Sequence, residues 1–436
     1  MKKFWLGNIN KKFDCFALGN SAVVYFIVIF FLFPVLAYFH LPSKIIEYIS
    51  NQNISILTWK MTFYLIVGIT FFILGYQLLN LFLKNRKIPN ILNKEWDYKK
   101  VIYVFIFVFI GGVVIKLIRI FGGGYFHPNV NPSFSNNPFY SLIGLLSWLG
   151  PIALAIAFVY YFYLLKIGDY RYRIWRITGW SVFILEFFYG FFSASRFITI
   201  VPIIVYLIAK HYLHSRSWRR VVIAGLLILF VLMPLQNFYR NPEVLFKGYS
   251  VLIDHQVKIK SKGIQQFILD SSIGRISQSR ILSSVFEKTD KFLYGKTFKE
   301  FLTSLGPPRF IWKNKPLSIN TFGNKIGRNL GILAPTDFKT SVGPTILGDW
   351  YMNFGIWGII FGMFFMGAIY RFIYNYFIKE SHNSLSGVVI YSIFWIQIIK
   401  GTEDFIAPVW AGLVKIFVIL LIINYFLTKN KSQINY

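Results

Sequence analysis

The sequence predicts an all-α polytopic membrane protein with about ten transmembrane helices and one large extracytoplasmic loop that carries short interfacial helices. Of the 436 residues, 56% are hydrophobic and 14% are charged, whereas soluble domains carry about 25% charged residues. Apolar runs of about 20 residues, the length that crosses a bilayer, recur along the chain. Lys and Arg are concentrated in alternate connections between these runs, as in multi-pass membrane proteins.

Ten apolar runs are predicted to be membrane spans: residues 21–39, 61–83, 101–120, 141–165, 177–193, 197–213, 220–236, 351–370, 387–400 and 410–427. We expect the first to be a retained signal anchor, because it lacks a small-residue cleavage site. The six segments on one side of the spans contain 22 Lys and Arg, whereas the short segments on the other side contain Lys44, Lys60, Arg196 and Lys400. Since basic segments stay in the cytoplasm, both termini are predicted to be cytoplasmic.

The spans divide the chain into three parts: residues 1–236 with helices 1 to 7, a large extracytoplasmic loop at 237–350, and residues 351–436 with helices 8 to 10. The loop contains 17 Lys and Arg against 8 Asp and Glu. Long loops are translocated regardless of their charge, so the excess of basic residues is compatible with an outer location. The excess predicts an anionic ligand outside the cytoplasm. Within the loop, Leu269, Ile273, Ile276 and Arg280 share one helical face, which predicts a helix lying at the bilayer surface.

The sequence contains no motif for nucleotide or metal chemistry. GxxxxGK[ST], GxGxxG and HExxH are absent, and the six histidines are scattered without metal-ligand spacing. No DxD pair occurs, which disfavours a soluble, metal-dependent glycosyltransferase. The single cysteine, Cys15, excludes internal disulfides. We therefore expect no cofactor and no metal, and the distribution of the +29 net charge indicates no nucleic-acid partner.

Several charged residues fall inside the predicted spans, where each costs several kcal/mol unless it is paired or hydrated. Lys116 and Arg119 lie on one face at the outer end of the third span. Glu186 lies in the fifth span and Lys415 in the tenth. One interpretation is structural: Lys116 extends to the interface, and Glu186 pairs with Lys415. The alternative is functional, above all for Arg119, which adjoins an extracytoplasmic loop.

Arginines cluster at the predicted outer surface. Arg196 lies in the turn SASRF between two spans, and Arg240 ends the sequence NFYR after the seventh span. A guanidinium binds phosphate oxygens in a bidentate manner, although an interfacial anchor would use the same residue. The loop adds Arg275, Arg280, Arg309 and Arg328. Several arginines at the outer membrane plane would suit a diphosphate.

A carboxylate lies just before the predicted start of the eighth span. Asp349 lies between Gly348 and Trp350 in the stretch from Ser341 to Gly355. Aspartate is favoured as a helix N-cap. It could also serve as a general base or as a ligand for a sugar hydroxyl. The two roles are compatible.

These motifs resemble those of the Wzy-type oligosaccharide repeat-unit polymerases of bacterial surface polysaccharides. The resemblance rests on SASRF, on NFYR and on Pro-x-x-x-Gly-(Glu/Asp)-x-Tyr-x-Asn-Phe-Gly-x-x-Gly from Pro344 to Gly358. It extends to the topology of many spans with one large outer loop late in the chain. The family usually has Glu at the position of Asp349, so this chain keeps the carboxylate but shortens its reach.

The resemblance implies a metal-independent glycosyltransferase of the bacterial cytoplasmic membrane with its active site on the outer face. It would transfer the growing O-antigen or capsule glycan from undecaprenyl diphosphate onto a carrier-linked repeat unit. Arg196, Arg240 and Arg328 would neutralise the leaving diphosphate, and Asp349 would orient or deprotonate the acceptor hydroxyl. The other residues expected to contact the diphosphate or glycan are Arg119, Arg280, Tyr351, Asn353 and His255. His255 and His127 are alternative bases.

The expected partners are undecaprenyl-diphosphate-linked glycans and the bilayer, with a chain-length regulator and a flippase as candidate protein partners. Two other functions stay open. A ligase that delivers finished polymer to another acceptor would have similar spans and arginines. A transporter or flippase would place charges and broken helices at the bilayer midplane in two related halves, whereas the charges here gather at the predicted outer face.

Overall fold

The computed structural model describes residues 14–32, 34–35, 58–83, 92, 94–123, 139–193, 195–215, 218–240, 249–253, 257–261, 276–307, 311–312, 319–337 and 341–428. The helices are α1 Leu18–Ile27, α2 Trp59–Leu83, α3 Tyr98–Gly123, α4 Tyr140–Leu146, α5 Leu149–Ile167, α6 Tyr172–Phe192, α7 Arg196–Leu213, α8 Trp218–Leu227, α9 Met233–Arg240, α10 Ile276–Lys288, α11 Lys296–Leu305, α12 Ile319–Asn329, α13 Thr345–Tyr374, α14 Leu385–Gly401 and α15 Ile406–Leu427. π-helical turns continue α1, α8 and α13 at Val28–Leu32, Ile228–Leu232 and Asn375–Lys379.

The fold is an all-α membrane bundle, as predicted. Seven apolar helices are long enough to cross a membrane within the described part of the chain: Trp59–Leu83, Tyr98–Gly122, Leu142–Ile167, Arg196–Leu213, Arg219–Gln236, Thr345–Lys379 and Ile406–Leu427. Two of the other predicted spans coincide with shorter apolar helices, Leu18–Leu32 and Leu385–Gly401. The span predicted at 177–193 lies on α6, which is long enough to cross a membrane but is not apolar enough to be among these seven helices. The count of ten spans therefore stays a prediction.

The central helix of the bundle is α5. Every residue from Gly150 to Tyr160 is buried, because α5 is surrounded by α3, α6, α7 and α14. A helix that is apolar all round is expected in such a central position. The second large packing unit is the pair α2 and α13, in which Gly75 and Gly367 allow the two backbones to touch.

The two ends of the bundle are marked by different polar clusters. At one end, which we call the Asp14 end, the Asp14 carboxylate accepts hydrogen bonds from the hydroxyls of Tyr374 at 2.7 Å and Tyr212 at 3.2 Å. His211 Nε2 lies 3.1 Å from the same carboxylate. At the opposite end α7 begins at Arg196 and α14 ends at Gly401. The basic segments of the sequence predict that the Asp14 end is cytoplasmic.

We expect Cys15, at the Asp14 end, to react slowly with thiol reagents. Burial and the nearby Asp14 carboxylate raise the pKa of the Cys15 thiol to about 11, and the thiolate is the reactive form. Alkylation of the folded protein by iodoacetamide, followed by mass spectrometry, should therefore accelerate by about tenfold per pH unit between pH 8 and pH 10. A rate that reaches a plateau below pH 9 would contradict this assignment.

A buried ion pair joins α3 and α6. Lys116 is 9% exposed and Glu186 is 3% exposed, and the two side chains form a salt bridge. Any side chain at Gly150 on α5 would overlap both groups. The structural interpretation, in which Glu186 pairs with Lys415, is therefore wrong about the partner of Glu186. Lys116 pairs with Glu186 instead of extending to the interface, and Lys415 instead donates a hydrogen bond to the Ser304 carbonyl at the end of α11.

The Lys116–Glu186 ion pair predicts how the stability of the double variant should differ from that of the two single variants. Lys116→Met alone or Glu186→Leu alone leaves a buried charge without its partner, which costs about 3–5 kcal/mol. The double substitution removes both charges together and should restore most of the lost melting temperature. Thermal unfolding of the detergent-solubilised variants, followed by tryptophan fluorescence, measures this effect. Losses that simply add in the double variant would show that the two residues do not interact.

The predicted outer loop contains more structure than short interfacial helices. Strands β1 (Tyr249–Ile253) and β2 (Val257–Ser261) form an antiparallel hairpin. Helix α10 is buried on all sides from Ser279 to Phe286, so the predicted surface helix is instead packed into the bundle. It contacts α2, α13 and the end of α1. The Ser279 hydroxyl donates to the Ile29 carbonyl at 3.1 Å. Leu269 and Ile273 lie outside the described residues.

Candidate functional site

The motif from Pro344 to Gly358 folds as a short helix, a sharp bend and the start of a long helix. Gly355 has φ 61° and ψ −145° within α13, a conformation that is essentially confined to glycine. A Cβ atom at Gly362 would overlap the Trp350 ring. In a straight helix these two residues would lie about 18 Å apart along the axis, because they are twelve residues apart. Residues 345–354, which we call the motif arm, therefore fold back against the rest of α13.

Gly355→Ala should disrupt the motif arm. A Cβ atom at Gly355 would lie 2.8 Å from Phe292 Cζ, and the backbone strain adds about 1–3 kcal/mol. We expect a lower melting temperature and loss of the protein's activity in the cell. Gly412→Ala in α15 is the matched control, since a Cβ atom there meets nothing within 4 Å. Equal melting temperatures for the two variants would contradict the bend.

Asp349 lies on the motif arm and is completely buried, with 0% exposure. Its Oδ2 accepts a hydrogen bond from the Ile406 N–H at 2.9 Å, and its Oδ1 accepts one from the Asn353 amide at 3.0 Å. Ile406 is the first residue of α15, whose N-cap residue Phe405 supplies no side-chain cap. Asp349 is therefore not the N-cap of its own helix, a position held by Pro344. It caps α15 instead.

Asn353, one turn after Asp349, connects the motif arm to the start of α11. Its amide nitrogen donates to the Thr297 hydroxyl at 2.6 Å, and its oxygen accepts from the Gly295 N–H at 3.0 Å. Tyr351 is also buried, between the rings of Tyr64, Phe286 and Phe292. Both side chains lie inside the protein, and their contact with a glycan stays a prediction.

The motif arm holds the turn between α14 and α15, residues 402–406, which we call the carboxylate turn. The Ile346 N–H donates to the Thr402 carbonyl at 3.1 Å. A Cβ atom at Gly343 would lie 2.5 Å from the Glu403 carbonyl oxygen. The Asp349 contact with Ile406 adds a third attachment. The motif therefore fixes the position of this turn.

Glu403 in the carboxylate turn is a candidate residue that was not among those predicted from the sequence. Its Oε1 accepts a hydrogen bond from the Tyr25 hydroxyl, and its Oε2 accepts one from the Gln278 amide at 3.2 Å. The side chain is partly exposed. The available signal was a pair of adjacent acids, Glu403 and Asp404, in a short predicted outer segment of a chain with 17 acids.

Arg196 lies at the same end of the bundle as the carboxylate turn. It is the first residue of α7, after the N-cap Ser195, whose hydroxyl accepts from the Ile198 N–H at 3.4 Å. The neighbouring Phe197 ring is contacted by the Lys400 ammonium at 4.7 Å from its centroid. Lys400 is two residues before the turn. The predicted outer-surface arginine is thus near the site that the motif organises.

The other predicted arginines occupy different environments. Arg280 is buried in α10, with 4% exposure, so it is not a solvated surface charge. Arg119 is one turn beyond Lys116 in α3. Arg328 is partly exposed on α12, a helix whose Gly327 packs against Val342, just before the motif. Arg240 is the last residue of α9, and its side chain lies outside the described part of the chain.

Some predicted residues lie outside the described residues: His127, His255, Arg275 and Arg309. Among the residues that the structure describes, no three His, Cys, Asp or Glu side chains come together as metal ligands. The described site therefore consists of buried hydrogen bonds, one partly exposed glutamate and nearby cationic side chains.

Residues 281–407 match the family model described as "Putative O-antigen polymerase". The matched segment contains both the motif arm and the carboxylate turn, and it does not include Arg196 or Arg240. No curated protein and no solved structure shows significant similarity to the chain. The match supports a polymerase role in O-antigen synthesis. It confirms the prediction from the motifs and supports a Wzy-type O-antigen polymerase family for this chain.

Proposed function

We propose that the chain is a metal-independent glycosyltransferase of the bacterial cytoplasmic membrane. It polymerises undecaprenyl-diphosphate-linked oligosaccharide repeat units on the outer face of that membrane for O-antigen or capsule synthesis. The family match over residues 281–407 carries this proposal. The match coincides with the part of the chain in which the motif arm and the carboxylate turn are joined by hydrogen bonds.

The proposed donor is a lipid-linked glycan, and the leaving group is its diphosphate. In this reaction negative charge develops on the diphosphate, and guanidinium groups stabilise such charge by bidentate hydrogen bonds. Arg196, Arg240 and Arg328 are the proposed ligands, with Arg119 and Arg280 as further candidates. Arg196 supports this role through its position, because it begins α7 at the end of the bundle where α14 reaches the carboxylate turn.

The motif arm contributes to the reaction mainly by positioning other groups. Asp349 and Asn353 are fully buried, and their polar atoms bind protein groups. A side chain of this kind fixes the geometry of a site without touching the substrate. Tyr351 and Asn353 remain proposed glycan contacts only if the arm opens during binding, and His255 remains a proposed contact from the loop.

Deletion of the gene tests the proposal against a ligase. Without a polymerase, the final acceptor should carry single repeat units, and expression of the wild-type protein should restore long polymer. Gel analysis of the extracted glycans shows the difference. Complete absence of acceptor-linked glycan would indicate a ligase. Accumulation of carrier-linked units that stay on the cytoplasmic side would indicate a flippase.

A further inference from the structure

Helix α11 packs alongside α15, one of the seven helices that are long and apolar enough to cross a membrane. Its start lies beside the motif arm, where the Gly295 N–H donates to the Asn353 side-chain oxygen. Its end lies beside Lys415, whose ammonium donates to the Ser304 carbonyl. The ten residues of α11 therefore extend from the motif arm toward the middle of α15.

Lys415 places the end of α11 far from the start of the span. It is the tenth of the 22 residues of α15, so it lies about 13 Å along the helix axis from Ile406. A charged side chain at such a depth is costly, and residues of this kind pair with one another or with backbone carbonyls. The Ser304 carbonyl is among the last four of α11, which lack partners within the helix. The lysine and the helix end thus satisfy each other.

The length of α15 argues against an arrangement in which α11 lies outside the membrane. In that arrangement the first ten residues of α15, which run beside α11, would also lie outside it. Residues 416–427 would then have to cross the bilayer alone. They form about 18 Å of helix, whereas the hydrocarbon core is about 30 Å thick. α15 can cross the bilayer only if α11 descends into it as well.

Contacts of α2 place the start of α15 at a similar depth. α2 begins at the end of the bundle opposite the Asp14 end, and its Gly68 meets the Leu347 side chain of the motif arm. Gly68 lies about 13 Å along α2 from Trp59. Leu347 is two residues before Asp349, which binds the N–H of Ile406. The start of α15 is therefore recessed from the outer end of α2, and the end of α11 lies deeper still.

The exposed surface of α11 changes in character along the helix. Lys296 and Lys299 are exposed near its start, whereas residues 301–307 contain no charged residue. Leu302 is 73% exposed, and α15 exposes Val414 near the level of the helix end, at 42%. Lysine side chains can bury their stems while their ammonium groups reach water. The apolar end of the helix suits hydrocarbon, and its charged start suits the headgroup region.

The chain leaves the end of α11 with its backbone covered. The Gly306 N–H donates to the Leu302 carbonyl at 3.0 Å, and a Cβ atom at Gly306 would lie 3.0 Å from the Trp312 ring. Irregular backbone is tolerated at membrane depth where protein covers it. Further along the chain, Gly323 of α12 packs against Phe405, just before α15. Both flanks of α11 thus lie near the motif arm and the start of α15.

We propose that α11 is a re-entrant helix, which enters the bilayer from the outer side and ends near its middle, and that the hydrocarbon chains of membrane lipids cover its exposed face. Ten residues of helix are about 15 Å long, which is half the thickness of the hydrocarbon core. The predicted outer loop at 237–350 is then not entirely extracytoplasmic. Because Thr297 of α11 binds Asn353, the candidate site adjoins a helix in contact with lipid. This placement follows from the contacts of α11, whatever reaction the protein catalyses.

Spin labels along α11 test this placement. Cys15 is the only cysteine, so the full-length Cys15→Ala protein can carry Lys296→Cys, Lys299→Cys or Leu302→Cys as a single labelling site. The labelled proteins are reconstituted in liposomes of phosphatidylcholine and phosphatidylglycerol. Electron paramagnetic resonance then measures collisions with oxygen, which is concentrated in hydrocarbon, and with a water-soluble nickel chelate. We expect the preference for oxygen to rise from position 296 to position 302, over a depth of about 9 Å.

Two reference positions calibrate the measurement. Val418→Cys, at a site that is 51% exposed on α15, should prefer oxygen, and Lys291→Cys, at an exposed site before α11, should prefer the nickel chelate. Equal preferences at all three α11 positions would indicate a helix parallel to the surface. A Leu302 label that meets nickel as readily as the Lys291 label would indicate water. Either result would overturn the proposal. Thr303→Cys, at a partly exposed site, replaces Leu302→Cys if that variant does not accumulate.

Lys415→Met tests how the end of α11 is held. The substitution removes the donor to the Ser304 carbonyl and keeps an unbranched side chain. We expect the label at Leu302→Cys to become more mobile, so that its spectrum sharpens. Lys415→Arg keeps a donor and should leave the spectrum nearly unchanged. An identical spectrum in Lys415→Met and in the protein with Lys415 would contradict the attachment of α11 to the middle of α15.

Discussion

Asp349→Ala is expected to abolish polymer synthesis and to lower the melting temperature. Removal of the carboxylate leaves the Ile406 N–H without its acceptor and takes one of the acceptors of the Asn353 amide. Each unsatisfied buried group costs about 1–3 kcal/mol. The loss also removes one attachment of the carboxylate turn. Activity should therefore fall further than the loss of stability alone would explain. Polymer analysis in cells and thermal unfolding of the purified protein measure the two effects.

Two variants control for this result. Asp290→Ala removes an exposed carboxylate after α10 and should leave polymer and melting temperature unchanged. Asp349→Asn keeps one acceptor for Ile406 and should retain part of the activity. An Asp349→Asn protein with wild-type melting temperature and no activity would indicate that Asp349 takes part directly in the chemistry. That outcome would contradict its role as a positioning residue.

Arg196→Ala and Arg240→Ala are each expected to abolish polymer while the protein accumulates normally in the membrane. The proposed diphosphate ligands act on charge that develops in the transition state, and removal of one such donor lowers rates by about 10²- to 10³-fold. Replacement by Lys preserves the charge but loses the bidentate geometry, so it should restore only part of the activity. Gel analysis of the glycans and immunoblotting of membranes provide the two readouts.

Arg219→Ala is the matched control, since Arg219 is exposed near the start of α8 on the side that the sequence predicts to be cytoplasmic. It should leave polymer length unchanged. Polymer of wild-type length in both Arg196→Ala and Arg240→Ala would refute the diphosphate role. Loss of protein from the membrane in either variant would point to the anchoring role that the sequence also allowed for Arg196.

The helical architecture was accessible from the sequence because bilayer-spanning helices have a simple signal. About 20 apolar residues with basic flanks predict a span wherever they occur, and most predicted spans coincide with apolar helices. α6 shows the limit of this signal, since it carries Arg173, Arg176 and Glu186. Its place in the bundle depends partly on the ion pair between Glu186 and Lys116.

Contacts between segments that are far apart in the chain could not be predicted from the sequence. Glu186 could have paired with either of two lysines, and hydropathy does not distinguish Lys116 from Lys415. Likewise, the apolar face of α10 predicted a helix at the bilayer surface. The buried Ser279 and Arg280 show that α10 is enclosed by its neighbours. Polar residues on a helix do not reveal whether they face water or a buried hydrogen-bonding partner.

The candidate site was predicted in part. The motif carboxylate and its neighbour Asn353 were identified from their types and spacing, and the structure brings them together in one buried network. The bend at Gly355 could not be inferred, because an isolated glycine in an apolar run is compatible with a straight helix. The contribution of Glu403 depends on contacts with Tyr25 and Gln278, which are 378 and 125 residues away.

Reconstitution of the purified protein tests the proposed metal-independent polymerisation. The wild-type protein in nanodiscs is incubated with undecaprenyl-diphosphate-linked repeat units in the presence of EDTA, and the products are separated by gel electrophoresis. We expect a ladder whose steps differ by one repeat unit. The absence of any product longer than the substrate, or a ladder that forms only when a metal ion is added, would contradict the proposed function.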